Sequence, residues 1–261
     1  MGGLVRRLLG VHAVLVLLFL YAPIVVLVVF SFNTSRLNVM WEGFTLQWYQ
    51  QALTDRQILR ALQNSLVVGT ISTVVSTALG TLTAFALARY RFPGKRLLEG
   101  VLYIPIILPE IVMGISLLAL FSTLGMRLGI ATISIAHITF CTAFVALIVR
   151  ARLHGFDRAL ERAAMDLGAG PWTTFRRVTL PLAAPGIIAG ALIAFTLSID
   201  DVIITFFTSG PGSTTLSLYI FSMVRLGVSP KVNALSTLLL LFTFVVVGLV
   251  ARGIYASLRR R

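Results

Sequence analysis

Charge is scarce in this chain, and negative charge scarcer still: of 261 residues 12% are charged, with nine Asp and Glu against 22 Lys and Arg. Soluble domains carry about 25% charged residues. A chain of this length with 57% hydrophobic residues cannot keep them all from water by folding alone, which excludes a soluble domain and leaves the bilayer as solvent. Cysteine occurs once, as Cys141 in an apolar stretch, which excludes an internal disulfide and a thiolate metal site. With three His and no cluster of ligand-type residues, no metal site is expected. No nucleophile and base recur at usable spacing, so the chain is not expected to be an enzyme. Gly94-Lys95 lacks both the earlier glycine and the following hydroxyl of a phosphate loop, so ATP hydrolysis would fall to another chain.

What is present is apolar length. A helix crossing the hydrocarbon needs about 20 largely apolar residues. Val11–Phe32, Ser65–Ala88, Val101–Leu124, Ile130–Val149, Pro185–Phe207 and Val232–Val250 qualify, giving six expected spans. Uncharged runs this long, rich in Leu, Val, Ile and Ala, favour helices over the alternating strands of a barrel. The fold class is therefore an all-α integral membrane protein, with 1–261 read as one transmembrane domain. The formal net charge of +13 is explained by where the charges fall rather than by nucleic acid. With both termini cytoplasmic, inside segments hold sixteen Lys and Arg and outside segments six, the bias of the positive-inside rule. The run behind Arg6 and Arg7 is long for a signal-peptide core, and Tyr21-Ala22-Pro23 offers no good cleavage site, so it reads as a retained span. The outside loop from Asn33 to about Leu62 carries Trp41, Trp48 and Tyr49, rings that suit the lipid–water interface. Pro93-Gly94 turns spans two and three into a hairpin.

The connection between spans four and five, 150–184, is the only one large enough for a cytoplasmic role. Phe156, Leu160, Ala163, Ala164 and Leu167 recur at spacings of three and four, on one helix face. Gly168-Ala169-Gly170-Pro171 should end that helix. A second stretch, Trp172–Thr179, is bounded by Leu180-Pro181, and Pro185 opens the fifth span. A helix, a turn and a helix with small alanines and an unpartnered apolar face are expected to dock into another subunit.

The stretch Arg162-Ala163-Ala164-Met165-Asp166-Leu167-Gly168, followed by Val178-Thr179-Leu180-Pro181, resembles the EAA loop of bacterial ABC importer permeases. In that loop Glu-Ala-Ala precedes Gly by a fixed spacing and Ile-x-Leu-Pro closes the motif. Here Arg162 stands at the glutamate position, with Glu161 one residue earlier, and Val178 replaces the isoleucine. Four further segments are similar to the spermidine/putrescine type of these permeases: Ser31-Phe32-Asn33, Leu87-Ala88-Arg89-Tyr90-Arg91-Phe92, Phe195-Thr196-Leu197-Ser198-Ile199-Asp200-Asp201, and 227–235 from Gly227 to Leu235. The resemblance covers nearly the whole chain and implies a MetI-like ABC importer permease fold with a cytoplasmic coupling helix pair. It implies ATPase coupling by Glu161, Arg162, Ala163, Ala164, Asp166, Gly168, Leu180 and Pro181, and polyamine import across the bacterial inner membrane. The implied partners are a sister permease, a cytoplasmic ATPase dimer and a periplasmic polyamine-binding protein. No cofactor is implied on this chain, ATP being used by the partner subunit.

Three of the nine acids, Glu110, Asp200 and Asp201, fall inside the apolar runs. An ionisable group there costs about 2.5 kcal/mol or more unless paired or wetted, which makes each a functional candidate. Pro105 and Pro109 flank Glu110 and would free backbone carbonyls, as a helix lining a cavity tolerates. A kinked, acid-lined path suits an organic cation, with Trp48 and Tyr219 as candidate rings for cation–π contact. On one continuous helix Asp200 and Asp201 point about 100° apart, so one of them can be structural. The alternative for either aspartate is pairing with Arg225, Lys231 or a basic residue of a sister subunit. His12 and His137 read as packed or interfacial. Competing functions are the same machinery carrying another small solute or metal ion, and a proton-coupled secondary transporter. Intramembrane acids without intramembrane Arg or Lys argue against an anion, and the lack of a clear inverted repeat argues against the secondary transporter.

Overall fold

The computed structural model describes residues 2–35, 40–155, 157, 159–227 and 229–259. Expectations placed on Arg36, Phe156, Arg158, Val228, Arg260 and Arg261 lie outside the described residues. The helices are α1 (Gly2–Phe30), α2 (Gln47–Thr54), α3 (Arg56–Arg89), α4 (Lys95–Ile107), α5 (Glu110–Thr123), α6 (Ile130–His154), α7 (Ala159–Asp166), α8 (Pro171–Thr174), a π turn (Phe175–Thr179), α9 (Leu180–Asp200), α10 (Ile203–Thr208), α11 (Leu216–Leu226) and α12 (Pro230–Arg259). Among the described residues the only strand-like pairing is a single bridge, Asn33 to Phe44.

Among the described residues four helices are long and apolar enough to cross a bilayer: Val5–Phe30, Arg56–Arg89, Ile130–His154 and the continuous Pro171–Asp200. The third expected span is not one helix. α4 and α5 meet at 112°, and at about 1.5 Å per residue neither the 13-residue nor the 14-residue arm crosses the hydrocarbon alone. Pro109 has no N–H for the ladder and drives Leu108 out of the α region, to ψ 138°. The fifth expected span starts earlier and also breaks. Leu180-Pro181 does not end a helix and Pro185 does not begin one: Leu180 N–H reaches back five residues to Phe175 O, and the chain continues helically to Asp200. Asp201 then turns extended, at ψ 131°, before α10. The sixth expected span lies on α12, whose described apolar part, Pro230–Val245, is short of spanning length, so six crossings are not established.

Contacts divide the chain into two compact units, Arg60–Tyr219 and Met1–Leu59 with Ile220–Arg261. In the first, α6 is the axis. Its Ala136, Phe140, Cys141, Val145, Val149 and Leu153 pack with Ala84 and Phe85 of α3, Met113 and Phe121 of α5, Ala183 and Ala194 of α9 and Ile204 of α10. A Cβ at Gly80 would lie 2.7 Å from Cβ of Val145. Glycine there lets α3 close onto α6, the small-residue packing by which membrane helices associate.

In the second unit, α1 is apolar all round beyond His12 and has no buried residue across its spanning window, as a lipid-facing helix should. The segment after it is built around Asn33. Its amide donates to Met40 O at 2.7 Å, its side-chain oxygen accepts Glu42 N–H at 3.0 Å, and its carbonyl accepts the Trp48 indole N–H at 2.7 Å. Lys231, at the start of α12, meets Asp55, between α2 and α3, at 2.6 Å. Lys231 holds the Asp55 carboxyl below its ordinary range, helped by the N–H groups of Gln57 and Ile58 against an opposing effect of burial. Because that pKa is depressed, the pair's stability is present above the ordinary carboxylate range of about 3.9 and is lost as pH falls through the lower folded value. Asp55→Asn should therefore lower the thermal midpoint in detergent slightly at neutral pH, by the equivalent of about 0.2–1 kcal/mol. Its melt should converge with that of the unaltered protein in acid; a constant gap down to about pH 3 would contradict this.

Candidate substrate pathway and coupling segment

The two helix breaks lie side by side. α5, which begins at one, packs on α10, which begins just after the other, and a Cβ at Gly114 would lie 2.7 Å from the Phe207 ring. Between the breaks is a cavity of about 510 Å³ lined by Pro105, Pro109, Glu110, Met113, Phe140, Phe144, Thr196, Asp200, Asp201 and neighbouring aliphatic residues. All three expected carboxylates line it, and no Lys or Arg does. Glu110 opens α5, where the helix dipole favours negative charge. Glu110 and Asp200 are exposed, and neither carboxylate forms an ion pair or hydrogen bond with another described residue.

Asp201 is placed differently, because the chain is not helical at that residue. Its carboxylate accepts the backbone N–H groups of Ile204 at 3.3 Å and Thr205 at 2.7 Å, which are orphan donors of the first turn of α10, and the Thr205 hydroxyl at 2.7 Å. Nε2 of His137 is 3.3 Å from the same carboxylate oxygen and 3.0 Å from the Thr205 hydroxyl, while Nδ1 is 2.7 Å from the Ser198 hydroxyl. His137 is fully buried. Since Thr205 Oγ1 donates to Asp201, it accepts from Nε2–H, which fixes the proton on that nitrogen. One imidazole thus ties α6 to the end of α9 and the start of α10. The partner expected for an aspartate, Arg225 or Lys231, is not the one found. Lys231 is engaged by Asp55, and the Arg225 guanidinium lies 4.9 Å from the Phe221 ring centre.

The expected aromatic pair is also revised. Trp48 belongs to the other unit, where it is 8% exposed and its N–H is taken by Asn33. Tyr219 is half-buried on α11 and does not line the cavity. The rings that do are Phe140 and Phe144 of α6, three and seven residues beyond His137 and so on the same helix face. That spacing was readable once His137 was recognised as needing buried partners.

In the candidate coupling segment, α7 ends at Asp166, and Gly168, two residues on, has a φ of +89° that suits the left-handed position after a helix. Pro171 then occupies the first helical position of α8. Arg162, Ala163, Asp166, Gly168, Leu180 and Pro181 are exposed and Ala164 is half-buried. Leu160, Met165, Leu167 and Trp172 are exposed beside them, with Leu167 at 89% and Trp172 at 71%. Glu161 instead turns inward. Arg89, the last residue of α3, donates to both of its oxygens at 2.6 Å, and the Thr179 hydroxyl donates to Oε1 at 2.6 Å. Sequence reasoning missed Arg89 and Thr179, which lie 72 and 18 residues from Glu161.

Long apolar helices, a carboxylate-lined cavity at two helix breaks and an exposed helical pair are the parts of a membrane transport component. The profile described as "Binding-protein-dependent transport system inner membrane component" matches residues 76–261, and the chain belongs to that family. It is 46% identical over 242 residues to the spermidine/putrescine transport system permease protein PotC of Escherichia coli (strain K12), covering 93% of this chain and 92% of the relative. It is 44% identical over 229 residues to the putrescine transport system permease protein PotI of the same strain, covering 85% and 82%. A chain of a bacterial ABC transporter involved in the import of the acidic polysaccharide alginate superposes with a TM-score of 0.73 at 18% identity, covering 97% of this chain and 98% of that one. The expected all-α importer-permease fold is borne out.

Two kinds of carboxylate predict two outcomes. His137→Ala or Asp201→Ala leaves buried polar groups unpartnered, at about 1–3 kcal/mol each, and should lower the thermal midpoint in detergent by several degrees. Glu110→Gln and Asp200→Asn, which break no internal bond, should leave it unchanged. The reverse ranking in a melting series would refute the assignment.

Proposed function

We propose that this chain is the membrane-spanning permease subunit of an ATP-driven importer for polyamines of the spermidine and putrescine kind, and that Glu110 and Asp200 meet the cargo's ammonium groups. The observation that carries this reading is one cavity lined by three carboxylates and no basic side chain. Its volume of about 510 Å³ falls within the range of about 300–1,000 Å³ usual for small-molecule sites. A flexible polycation needs negative charges spaced along its path, held weakly enough to release it. Phe140 and Phe144 add ring faces to which ammonium groups are attracted by about 0.5–2 kcal/mol. The alginate importer chain shows that this fold also serves an acidic cargo, so the cargo's charge is written in the lining and not in the fold. The names of the two relatives support the polyamine class.

In this reading both termini face the cytoplasm, which places α7 and α8 on the cytoplasmic side with most of the Lys and Arg. The exposed apolar residues of α7 and α8 dock into an ATPase dimer, where ATP is bound and hydrolysed, and no cofactor is held by this chain. A sister permease completes the pathway, and a periplasmic binding protein delivers the polyamine.

The test is uptake of radiolabelled spermidine into vesicles containing this chain with its partner subunits. Glu110→Gln and Asp200→Asn should each reduce uptake about tenfold or more, as expected for loss of a charged hydrogen-bond acceptor. The protein level in the membrane should not change. Normal uptake in both variants would exclude the assignment, and assembly without polyamine uptake in the unaltered protein would move the cargo to another class.

A further inference from the structure

α7 is held unusually for a helix that must bear load. None of its residues is buried, and the elements it packs against are α8 and the π turn. Below it lies a cavity of about 280 Å³, lined by Phe85, Arg89, Glu161, Met165, Phe175, Thr179 and neighbours. The Thr174 hydroxyl is buried at its edge without a hydrogen-bond partner. An apolar core does not fix this segment, and the Glu161 carboxylate takes that role. The Arg89 and Glu161 side chains are 16% and 15% exposed, so their bond is largely shielded from water and salt. Two parallel N–H···O bonds fix the angle between donor and acceptor as well as their separation. The third bond, from Thr179, ties in the π turn that leads into α9.

We propose that the Arg89–Glu161–Thr179 cluster is a positioning device that makes α7, the inner end of α3 and the base of α9 move as one body. α9 runs unbroken for 21 residues, about 30 Å, from Leu180 to Asp200 at the cavity. A displacement of α7 is thereby delivered along a rigid helix to the break that holds a cavity carboxylate, while α3 is carried by the guanidinium. Arg89 and Thr179 are coupling residues of this chain, and the carboxylate of Glu161 faces the membrane helices and not the docking surface. The inference rests on the reading of α7 as the segment pushed by a partner ATPase.

The experiment uses the full complex in proteoliposomes and reads spermidine carried per ATP hydrolysed. Arg89→Gln and Glu161→Gln should each lower that ratio about tenfold, the usual scale of a coupling between sites. The charge exchange Arg89→Glu with Glu161→Arg should restore most of it. An unchanged ratio in both single variants, or no recovery in the exchange, overturns the proposal. A second readout does not depend on cargo. Spin labels at Leu167→Cys and Leu82→Cys, on the coupling segment and α3, are selective because the lone native cysteine is fully buried. Their distance distribution should be narrow with and without ATP, should broaden in Glu161→Gln, and should narrow again in the exchange. A narrow distribution in Glu161→Gln overturns the proposal even if spermidine is not the cargo. Absence of spermidine transport by the unaltered complex, with the label distances behaving as expected, removes the polyamine reading and leaves the coupling device standing.

Discussion

A helix broken inside a bilayer exposes amides and carbonyls that lipid cannot satisfy, and the chain must find partners for them within itself or in a wetted cavity. The organisation around the two breaks follows from that constraint. At Leu108-Pro109 the proline supplies no N–H to orphan, and Glu110 stands in the first turn of α5, where the helix dipole favours its charge. At Asp201 the carboxylate takes the first donors of α10, and His137 braces the carboxylate from α6. Because the breaks pack on one another through Gly114 and Phe207, the polar groups they need are concentrated in one place. The cavity of about 510 Å³ lies at that place.

Two neighbouring aspartates therefore have opposite tasks. Asp201 is spent on the backbone and on His137, so its charge is already answered. The carboxylates of Asp200 and Glu110 make no bond to another described residue. Removing solvent-competent charge from the structural problem is what makes it available to a ligand, since a carboxylate that must also hold the fold cannot release a partner cheaply.

Composition and run length were enough to read an all-helical membrane protein, and the acids at 110, 200 and 201, singled out because charge in an apolar run is rare, all line one cavity. The resemblance at 162–168 and 178–181 singled out the stretch that forms the exposed helices α7 and α8, with the turn at Gly168 between them. What the sequence did not disclose was where straight helices fail. Pro109 was readable as a kink but not as a turn of 112°, since that angle is set by packing against α10. Pro181 and Pro185 looked like boundaries, whereas the wider turn at Phe175–Thr179 carries the chain through them. Arg89 and His137 find partners 72 and 64 residues away, and spacing along the chain carries no information about such pairs.

The π turn also sets a phase. One residue more than an α turn allows is accommodated there, so every side chain beyond it is rotated by about 100° from where an uninterrupted helix would put it. Asp200 lies at the far end of that helix. The direction in which its carboxylate points is therefore decided partly by five residues about 30 Å away, and shortening that turn by one residue would swing the cavity end of the helix to a different face without altering a single residue of the cavity.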